Sequence, residues 1–509
     1  MRKYALFLLL TLGALALAGA ARAAAAAAWT AKTDPALLAA TDEGATAEFL
    51  VVLAAQGDLS GAARLAGKTA RGQYVYDTLR AVAARTQAPL RALLDARGVP
   101  YRAYWVRNML WVRGDRAALQ TLAARPEVAY VYANTAHHTE PPPVAAPAAR
   151  AAAGVEWNIA KVNAPQVWAA GVTGQGVVIG GQDTGYDWQH EALKAQYRGW
   201  DGQTANHDYN WHDAIHENNP NTDPGNSCGF DAPAPCDDKG HFSAGHGTHT
   251  MGTMVGATAG HQIGMAPGAR WIGCRNMEQG WGTPATYAEC YEWFIAPYPI
   301  GGDPLNDGDP AQAPDVISNS WACPPEEGCT TGDVLRAVVE AVRAAGILSV
   351  HSAGNNGACG TIDAPAARYD ASFTVGATDS GDHIAGFSSR GPTPDGRTGP
   401  DVTAPGVNVF SSVPGNQYTT MGGTSMAAPH VAGLAALLIS ANPRLAGQVE
   451  RLEGLITSTA VPLTSDEGCG DDTPTSVPNN VYGWGRIDAL AAYEAVEALR
   501  EWFVPAVLK

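Results

Sequence analysis

Hydrophobic positions in the first 140 residues follow two different spacings, one typical of strands and one of helices. The elements predicted from them are a strand at 48–54, a helix at 73–97, strands within 101–112, a helix at 116–124 and a strand at 128–132. Pro89 lies inside the helical stretch, where we expect a bend. This β-α-β-β-α-β order predicts a small two-layer α+β domain of the ferredoxin-like kind over residues 47–136.

Short apolar runs alternate with amphipathic helical stretches from about residue 157 onwards. The runs, which are bounded by turns or helices as buried parallel strands are, lie at 177–180, 271–273, 316–318 and 347–350. They predict an α/β domain with a doubly wound, mostly parallel sheet over residues 155–499. Residues 201–243 interrupt the alternation with many Asn, Asp, Pro and Gly residues, which indicates a long surface insertion.

Three segments have no pattern that predicts a core. Residues 24–46 are Ala-rich without a period and are predicted to be a linker. Residues 137–154 (HHTEPPPVAAPAARAAAG) are rich in Pro and Ala, so we expect an exposed, protease-sensitive linker between the two domains. Residues 500–509 are predicted to be a C-terminal tail.

The N-terminus has the tripartite order of an export signal. Arg2 and Lys3 precede an apolar run to about residue 18, and Ala21-Arg22-Ala23 forms a small-x-small cleavage site. An uncleaved anchor is the alternative, but no later segment reaches the roughly 18 apolar residues of a spanning helix. We therefore expect a signal peptide over residues 1–23, a secreted protein and no membrane contact after cleavage.

The cysteines are eight in number and all lie after position 220. An even count confined to one region of an exported chain favours disulfides. Cys228 with Cys236 and Cys323 with Cys329 could close small loops, although eight cysteines allow 105 pairings. A metal site is a weak alternative because no spacing is Cys-x-x-Cys.

Charge is divided unevenly between the two domains. Residues 24–140 hold 13 Lys and Arg against 10 Asp and Glu, whereas residues 141–509 hold 17 against 39. The net charges of +3 and −22 are complementary, and the acidic part is not expected to bind nucleic acid. Solubility outside the cell is a simpler explanation of the acidity than steering of a substrate.

Two candidate catalytic residues follow predicted elements of the large domain. Asp183 in GGQDTGYD comes directly after a predicted strand, where open α/β sheets build their sites; a turn or a helix cap is the structural alternative. His246 in SAGHGTHTMGTMVG lies among small residues before an apolar helical stretch. His246 and His249 could instead bind zinc, but the motif has no Glu to act as base.

Ser425 and Asn355 supply the other groups that acyl transfer needs. Ser425 in MGGTSMAAPHVAGLAALL lies at the start of a strongly apolar helix, and Asn355 in LSVHSAGNNG lies in a loop after a predicted strand. Separately, the first could be a helix cap and the second a turn residue. Together with Asp183 and His246 they predict a nucleophile, a base, an orienting acid and an oxyanion donor.

The chain resembles the subtilisin-like serine peptidases and, within them, the bacillopeptidase F group. The motifs that carry the resemblance occur in family order between residues 157 and 499: QDTGYDWQHEAL, GHGTHTMGTMVG, QIGMAPGARW, DVISNSW, SAGNNG, APGVNV and GTSMAAPHVAGLAALL. The resemblance implies Ser425 as nucleophile, His246 as general base and Asp183 as the group that orients it. Asn355 and the backbone N–H of Ser425 would form the oxyanion hole.

The resemblance also implies partners and ligands. Residues 47–136 would be an inhibitory propeptide, and cleavage in the 137–154 linker would release a monomeric enzyme that acts on peptides or proteins without an organic cofactor. Many subtilisins bind calcium through an Asp that here is replaced by Ala192. The common strong calcium site is therefore expected to be absent, although the Asp-rich insertion could hold another ion.

Alignment with the family further implies the walls of the substrate cleft. These are Ser320, Trp321 and Ala322 on one side and Ser352, Ala353 and Gly354 on the other. Asp363 falls near the base of the S1 pocket, where a carboxylate would favour Arg or Lys at P1; a surface turn is the alternative. Rivals to the peptidase are a catalytically silent binding protein on the same scaffold and a metallopeptidase.

Overall fold

The computed structural model describes residues 29–138, 154–219, 221–222, 227–237, 245–322 and 333–502. The chain forms two compact units, one of Met1–Gly57 and Leu79–Thr135 and one of Asp58–Thr78 and Ala136–Lys509. The predicted signal peptide, residues 139–153 of the predicted linker and the end of the predicted tail lie outside the described residues.

The smaller unit is built on a four-stranded antiparallel sheet. Its elements are helix α1 (Pro35–Ala40), strand β1 (Ala47–Leu53), helix α2 (Lys68–Arg97), strands β2 (Tyr101–Tyr104) and β3 (Met109–Gly114), helix α3 (Arg116–Ala123) and strand β4 (Val128–Ala133). The strand order is β2-β3-β1-β4. From β1 onwards this is the predicted order of elements. Helix α2 runs through Pro89 without interruption, and its first turns belong to the larger unit.

The prediction of a linker over residues 24–46 is wrong for the part that the structure describes. Helix α1 is capped by Asp34, whose side chain accepts a hydrogen bond from the backbone of Ala36. Trp29 and Leu37 are buried in the core of the smaller unit. These two apolar side chains are too far apart to form a period, so only the folded unit reveals that they cover the sheet.

The larger unit is a doubly wound α/β domain, as predicted. Its helices are α4 (Trp157–Lys161), α5 (Ala164–Ala169), α6 (His246–Val255), α7 (Pro284–Ile295), α8 (Arg336–Ala344), α9 (Thr424–Ala441), α10 (Val449–Ser458) and α11 (Ala489–Trp502). Its strands are β5 (His137–His138), β6 (Gly154–Val155), β7 (Val178–Asp183), β8 (Trp211–Asp213), β9 (His261–Gln262), β10 (Arg270–Arg275), β11 (Met277–Glu278), β12 (Trp281–Gly282), β13 (Val316–Asn319), β14 (Leu348–Ser352), β15 (Phe373–Thr378), β16 (Val402–Pro405), β17 (Val409–Val413) and β18 (Gln417–Met421).

Seven of these strands form the central sheet, in the order β16-β15-β14-β13-β7-β10-β8. Every neighbouring pair is parallel, so the carboxyl ends of the strands share one edge. Strands β7, β10, β13 and β14 contain the four apolar runs from which the sheet was predicted. Their continuous apolar character reflects helices on both faces of the sheet.

Helix α9 is the central helix of the core. It is the one helix among the described residues that is long and apolar enough to cross a membrane, but 94% of its apolar stretch is buried inside the protein. The expectation that no segment after the signal peptide is long and apolar enough to span a membrane is therefore wrong for α9, whose apolar length reflects packing in the hydrophobic core. Helix α11 ends at Trp502 and so crosses the predicted boundary at residue 499.

The predicted surface insertion at 201–243 is partly wrong. Strand β8 lies within it and pairs in parallel with β10, and Trp211 is fully buried. Three residues are too short for a recognisable strand pattern, and their burial depends on the neighbouring strand. The predicted Cys228–Cys236 disulfide is present, and Cys274–Cys290 and Cys359–Cys469 also pair. The possible Cys323–Cys329 loop lies outside the described residues.

Candidate active site

Asp183 and His246 form a buried pair at the carboxyl edge of the sheet. Asp183 is the last residue of β7, and His246 is the first residue of α6. Their Oδ1 and Nδ1 atoms are 2.7 Å apart, and each side chain is at most 3% exposed. Bonding through Nδ1 leaves Nε2 as the atom that can exchange a proton.

The pKa of His246 lies above its ordinary value. Burial alone would lower this pKa, but the charge of Asp183, the hydrogen bond that Asp183 accepts from the imidazole and the charge of Asp237 together outweigh burial. Nε2 of His246 is buried and has no hydrogen-bond partner among the described residues. An unbonded imidazole nitrogen of raised basicity is suited to accept a proton from a neighbouring group.

Asp237 is a residue of this site that the sequence analysis missed. Its buried carboxylate accepts hydrogen bonds from the Thr184 hydroxyl at 2.8 Å and from the backbone N–H and hydroxyl of Thr248 at 3.0 and 2.5 Å. Thr184 follows Asp183 and Thr248 lies in α6, so Asp237 links the segments that carry Asp183 and His246. One Asp in a polar insertion has no distinguishing pattern in the sequence.

Ser425 lies in the first turn of α9 and is 4% exposed. Its hydroxyl donates to the backbone carbonyl of Ser320 at 3.1 Å, and the hydroxyl of Ser320 donates to the carbonyl of Ser425 at 2.9 Å. This reciprocal pair ties the start of α9 to the end of β13. The structure thus brings Ser425 to the cleft wall, while no hydrogen bond joins its Oγ to His246.

Asn355 is oriented by the residue before Ser425. Its side-chain oxygen accepts from the backbone N–H of Thr424 at 3.0 Å and from the Thr424 hydroxyl at 2.9 Å. Two donors on one end of the amide identify that end as the oxygen, which leaves the NH₂ end as a donor. Asn355 is exposed, so this donor is accessible beside the N-terminus of α9.

The predicted cleft walls follow neighbouring strands of the sheet. Ser320 follows β13, and the buried Trp321 stacks on Tyr287 with ring centroids 3.9 Å apart. Ser352 ends β14, Ala353 is buried and Ala322 is partly buried.

Gly354 completes the second wall and has a φ of +104°. A Cβ there would lie 2.9 Å from the hydroxyl of Ser389. Both observations explain why this position requires glycine.

Asp363 lies in the loop that packs behind the second wall. The preceding residue, Ile362, is buried against Ala353 and Ala367. Asp363 itself is half-buried, and its backbone carbonyl accepts from the guanidinium of Arg368 at 3.3 Å. These contacts attach the loop to the wall beside Gly354; the effect of Asp363 on specificity stays a prediction.

Residues 174–485 match the profile of the Subtilase family. The chain belongs to the subtilase family. It is therefore a serine-type endopeptidase by class, and the resemblance predicted from its motifs is confirmed.

Named relatives agree with the family match. The chain is 39% identical to bacillopeptidase F of Bacillus subtilis over 411 residues, which are 77% of this chain and 26% of that protein. It is 30% identical to subtilisin Savinase of Lederbergia lenta over 340 residues, 66% of this chain and 98% of that protein. This subtilase thus spans about a quarter of the length of bacillopeptidase F but nearly all of Savinase.

Ala192 occupies the position at which many subtilisins have the calcium-binding Asp. Ala192 is fully buried in a small apolar cluster with Ile263 and Tyr418. Beside it, Glu156 and His261 form an ion pair of 2.6 Å. Calcium takes six to eight oxygen ligands, and the side chain of Ala192 supplies none. In the described part of the chain, no group of three His, Cys, Asp or Glu side chains is arranged to hold a metal.

Proposed function

We propose that this subtilase is a secreted endopeptidase that hydrolyses peptide bonds with Asp183, His246 and Ser425 as its triad. The observation that carries the proposal is the buried Asp183–His246 pair, 2.7 Å long, with Nε2 of His246 unbonded among the described residues. An acid that fixes one imidazole nitrogen and leaves the other free is the arrangement that activates a serine.

The reaction begins when Ser425 Oγ attacks the peptide carbonyl and its proton passes to Nε2 of His246. The tetrahedral intermediate then breaks its C–N bond, and His246 returns the proton to the leaving amine. Water attacks the acyl-enzyme with His246 again as base, which releases the acid product and regenerates Ser425. Asp183 stabilises the imidazolium in both halves without taking the proton.

The oxyanion would be held by the side-chain amide of Asn355 and the backbone N–H of Ser425. The two bonds from Thr424 to the oxygen of Asn355 support this role, because they direct the NH₂ end away from Thr424. The N–H of Ser425 is in the first turn of α9, where backbone donors have no acceptor in a preceding turn. Positioned donors of this type usually contribute more than any other single group.

The hydroxyl of Ser425 must turn from Ser320 towards His246 before it can react. In the structure its hydroxyl donates to Ser320 rather than to His246. Catalytic hydrogen bonds often form only in the substrate complex, so this geometry is compatible with the triad. The Ser320 carbonyl would then accept from substrate or solvent instead.

We further propose that the enzyme is made as a zymogen whose propeptide is residues 47–136. Within the larger unit, Lys68 of α2 forms a 2.7 Å ion pair with Asp315, and both side chains are at most 14% exposed. Nearby, the guanidinium of Arg71 donates to the carbonyl of Gly447 at 2.8 Å. These buried contacts support a role of the N-terminal region in binding the peptidase domain before processing.

Strand β5 supports the same proposal. It pairs antiparallel with β12 on the side opposite β11, and the ring of His138 lies 4.9 Å from that of Trp281. Extended peptides commonly bind proteins by adding a strand to an exposed edge. Strand β5 consists of the first two residues of the predicted processing linker, and its pairing supports the binding of an extended peptide along β12.

Secretion is supported by the predicted signal peptide and by the three disulfides. Disulfides persist in oxidising compartments and are rare in the cytosol. The substrates would be peptides or proteins, and the proposal includes a monomeric enzyme without an organic cofactor or a nucleic-acid partner. A catalytically silent binding protein is not favoured, because similar relatives are named as proteases.

The decisive experiment follows processing of the full-length chain. Wild type should lose the residues up to about the 137–154 linker, whereas Ser425→Ala should stay full length and lack activity on a protein substrate. Ser440→Ala is the matched control, because it removes a hydroxyl from the far end of the same helix. A serine-directed phosphonate should inhibit wild type and a chelator should not. Full activity of Ser425→Ala would refute the triad.

A further inference from the structure

Three buried polar side chains form a row across the middle of the central sheet. Gln182 on β7 pairs in register with Asn319 on β13, and Asn319 pairs with His351 on β14. All three are fully buried. The interior of a sheet covered on both faces usually contains apolar residues, as it does at Val316 and Ile317 lower on the same strand. Polar residues in this row therefore need an explanation.

Side-chain hydrogen bonds connect the row and extend it to two neighbouring residues. We call the residues joined by these bonds the Gln182 network: Gln182, Asn276, Asn319, Ser349 and His351. The amide of Gln182 donates to Asn319 at 2.5 Å and accepts from Asn276 at 3.1 Å. The amide of Asn319 lies 3.1 Å from the hydroxyl of Ser349, which is itself 2.9 Å from Nε2 of His351. The bonds thus cross three adjacent strands.

Each strand of the row continues directly into a group of the candidate active site. Gln182 precedes Asp183, Asn319 precedes Ser320, and His351 precedes Ser352. Asn276 also contacts the catalytic residue directly, because its backbone N–H donates to the carbonyl of Asp183 at 3.0 Å. A shift of one strand along its neighbour would therefore move the acid of the triad relative to the residue that bonds Ser425.

Such a shift matters because the two halves of the triad are attached to different strands. Asp183 and its partner His246 are carried by β7 and α6, while Ser425 is tied to the end of β13 through two hydrogen bonds with Ser320. A displacement of about 1 Å in such a site can cost about 100-fold in rate. Bonded polar groups in a core have strict geometry, whereas apolar contacts tolerate small slips.

We propose that Gln182 and Asn319 are positioning residues that hold Asp183 and the Ser320–Ser425 pair in register for catalysis. They touch neither substrate nor the reacting atoms, and they act through the residues that follow them. The inference rests on the triad proposed above. It assigns the buried row a role in the rate of the reaction as well as in stability.

The test compares Gln182→Leu and Asn319→Leu with Ile317→Val, a control that alters the same core on β13 without touching the network. The processed enzymes are titrated with an active-site phosphonate and assayed on a peptide amide. We expect each network variant to lose about 10- to 100-fold in kcat with KM changed less than about twofold. The control should change only the melting temperature.

Two further readouts separate positioning from general destabilisation. Asp183, Asp237 and His249 are the titratable groups that act on His246. If Asp183 is displaced, its interaction with the imidazole weakens and the pKa of His246 falls. The acidic limb of the plot of kcat/KM against pH should then move to lower pH. The double variant should lose less than the product of the two single losses, because either change breaks the same network.

A milder variant keeps the test decisive if the Leu variants do not fold. Ser349→Ala removes one oxygen from the network, and we expect a several-fold loss in kcat in a protein whose circular dichroism matches wild type. The proposal would be overturned if folded variants of the Gln182 network kept the kcat of wild type and the same acidic limb of the pH–rate profile. The buried row would then have only a structural role. Activity of Ser425→Ala would instead refute the triad, so the two failures are distinguishable.

Discussion

The stability of the protein in acid offers a quantitative test of the core around helix α9. His430 lies on α9 and is fully buried; its Nδ1 bonds the carbonyl of Met426 at 2.9 Å, and its Nε2 lies 2.9 Å from the amide of Asn158. Nδ1 must donate to the carbonyl, so Nε2 accepts from Asn158 and the ring is neutral. Burial lowers the pKa of His430 to about 4. We therefore predict that folding opposes its protonation.

The magnitude follows from the difference in pKa between the folded and unfolded chain. Unfolded His430 has a pKa of about 6.5, so below that pH the unfolded state binds a proton that the folded state does not. The stability contributed by the neutral ring is fully present above pH 6.5 and is lost as pH falls towards 4. At about 1.4 kcal/mol per pH unit, this loss reaches about 2 kcal/mol at pH 5.

The assay compares urea unfolding of wild type and His430→Gln, both carrying Ser425→Ala to prevent autolysis. Gln cannot titrate but can still accept from Asn158. Because all other titrating groups are shared, the difference between the two unfolding free energies isolates His430. That difference should shift by about 2 kcal/mol in favour of the variant between pH 7 and pH 5. Parallel curves over this range would show that the ring is not held neutral.

Three changes near the cleft have separate expected outcomes. Asn355→Ala should lower kcat by about 10² to 10³ with little change in KM, since the oxyanion donor acts in the transition state; a loss confined to KM would contradict the assignment. Asp237→Asn removes a charge that raises the pKa of His246, so the acidic limb of the pH–rate profile should move to lower pH. An unchanged acidic limb would show that the charge of Asp237 does not affect the imidazole. If Asp363 lines the S1 pocket, Asp363→Ala should reduce cleavage after Arg or Lys relative to Phe; an equal ratio in both proteins would place Asp363 in a surface turn.

Local signals in the sequence predicted most of the elements that carry the site. The apolar runs at 177–180 and 316–318 became β7 and β13, and the apolar stretch after Ser425 became α9. These segments are predictable because buried parallel strands and core helices contain uninterrupted apolar runs. Asp183 and Ser425 stand at the ends of such segments, where turn and motif residues are readable without a structure.

Predictions failed where burial depends on distant partners. Trp29 and Leu37 pack into the smaller unit from a segment that carries no period, and Trp211 is buried by the strand it joins within an otherwise polar insertion. Asp237 shows the same limit, because its role arises from Thr184 and Thr248, which lie on other segments. The spacing of residues along the chain does not predict such contacts.

The sequence by itself determined the class of this subtilase, the order of its candidate catalytic groups along the chain and the parallel sheet. Only the tertiary structure decided which atoms meet, such as Nδ1 of His246 with Asp183 and Oγ of Ser425 with Ser320. It also revealed that Gln182, Asn319 and His351 form one row. The physical reason is that a motif gives the chemical type of each residue, whereas a hydrogen bond between strands depends on their register. Long-range packing determines that register.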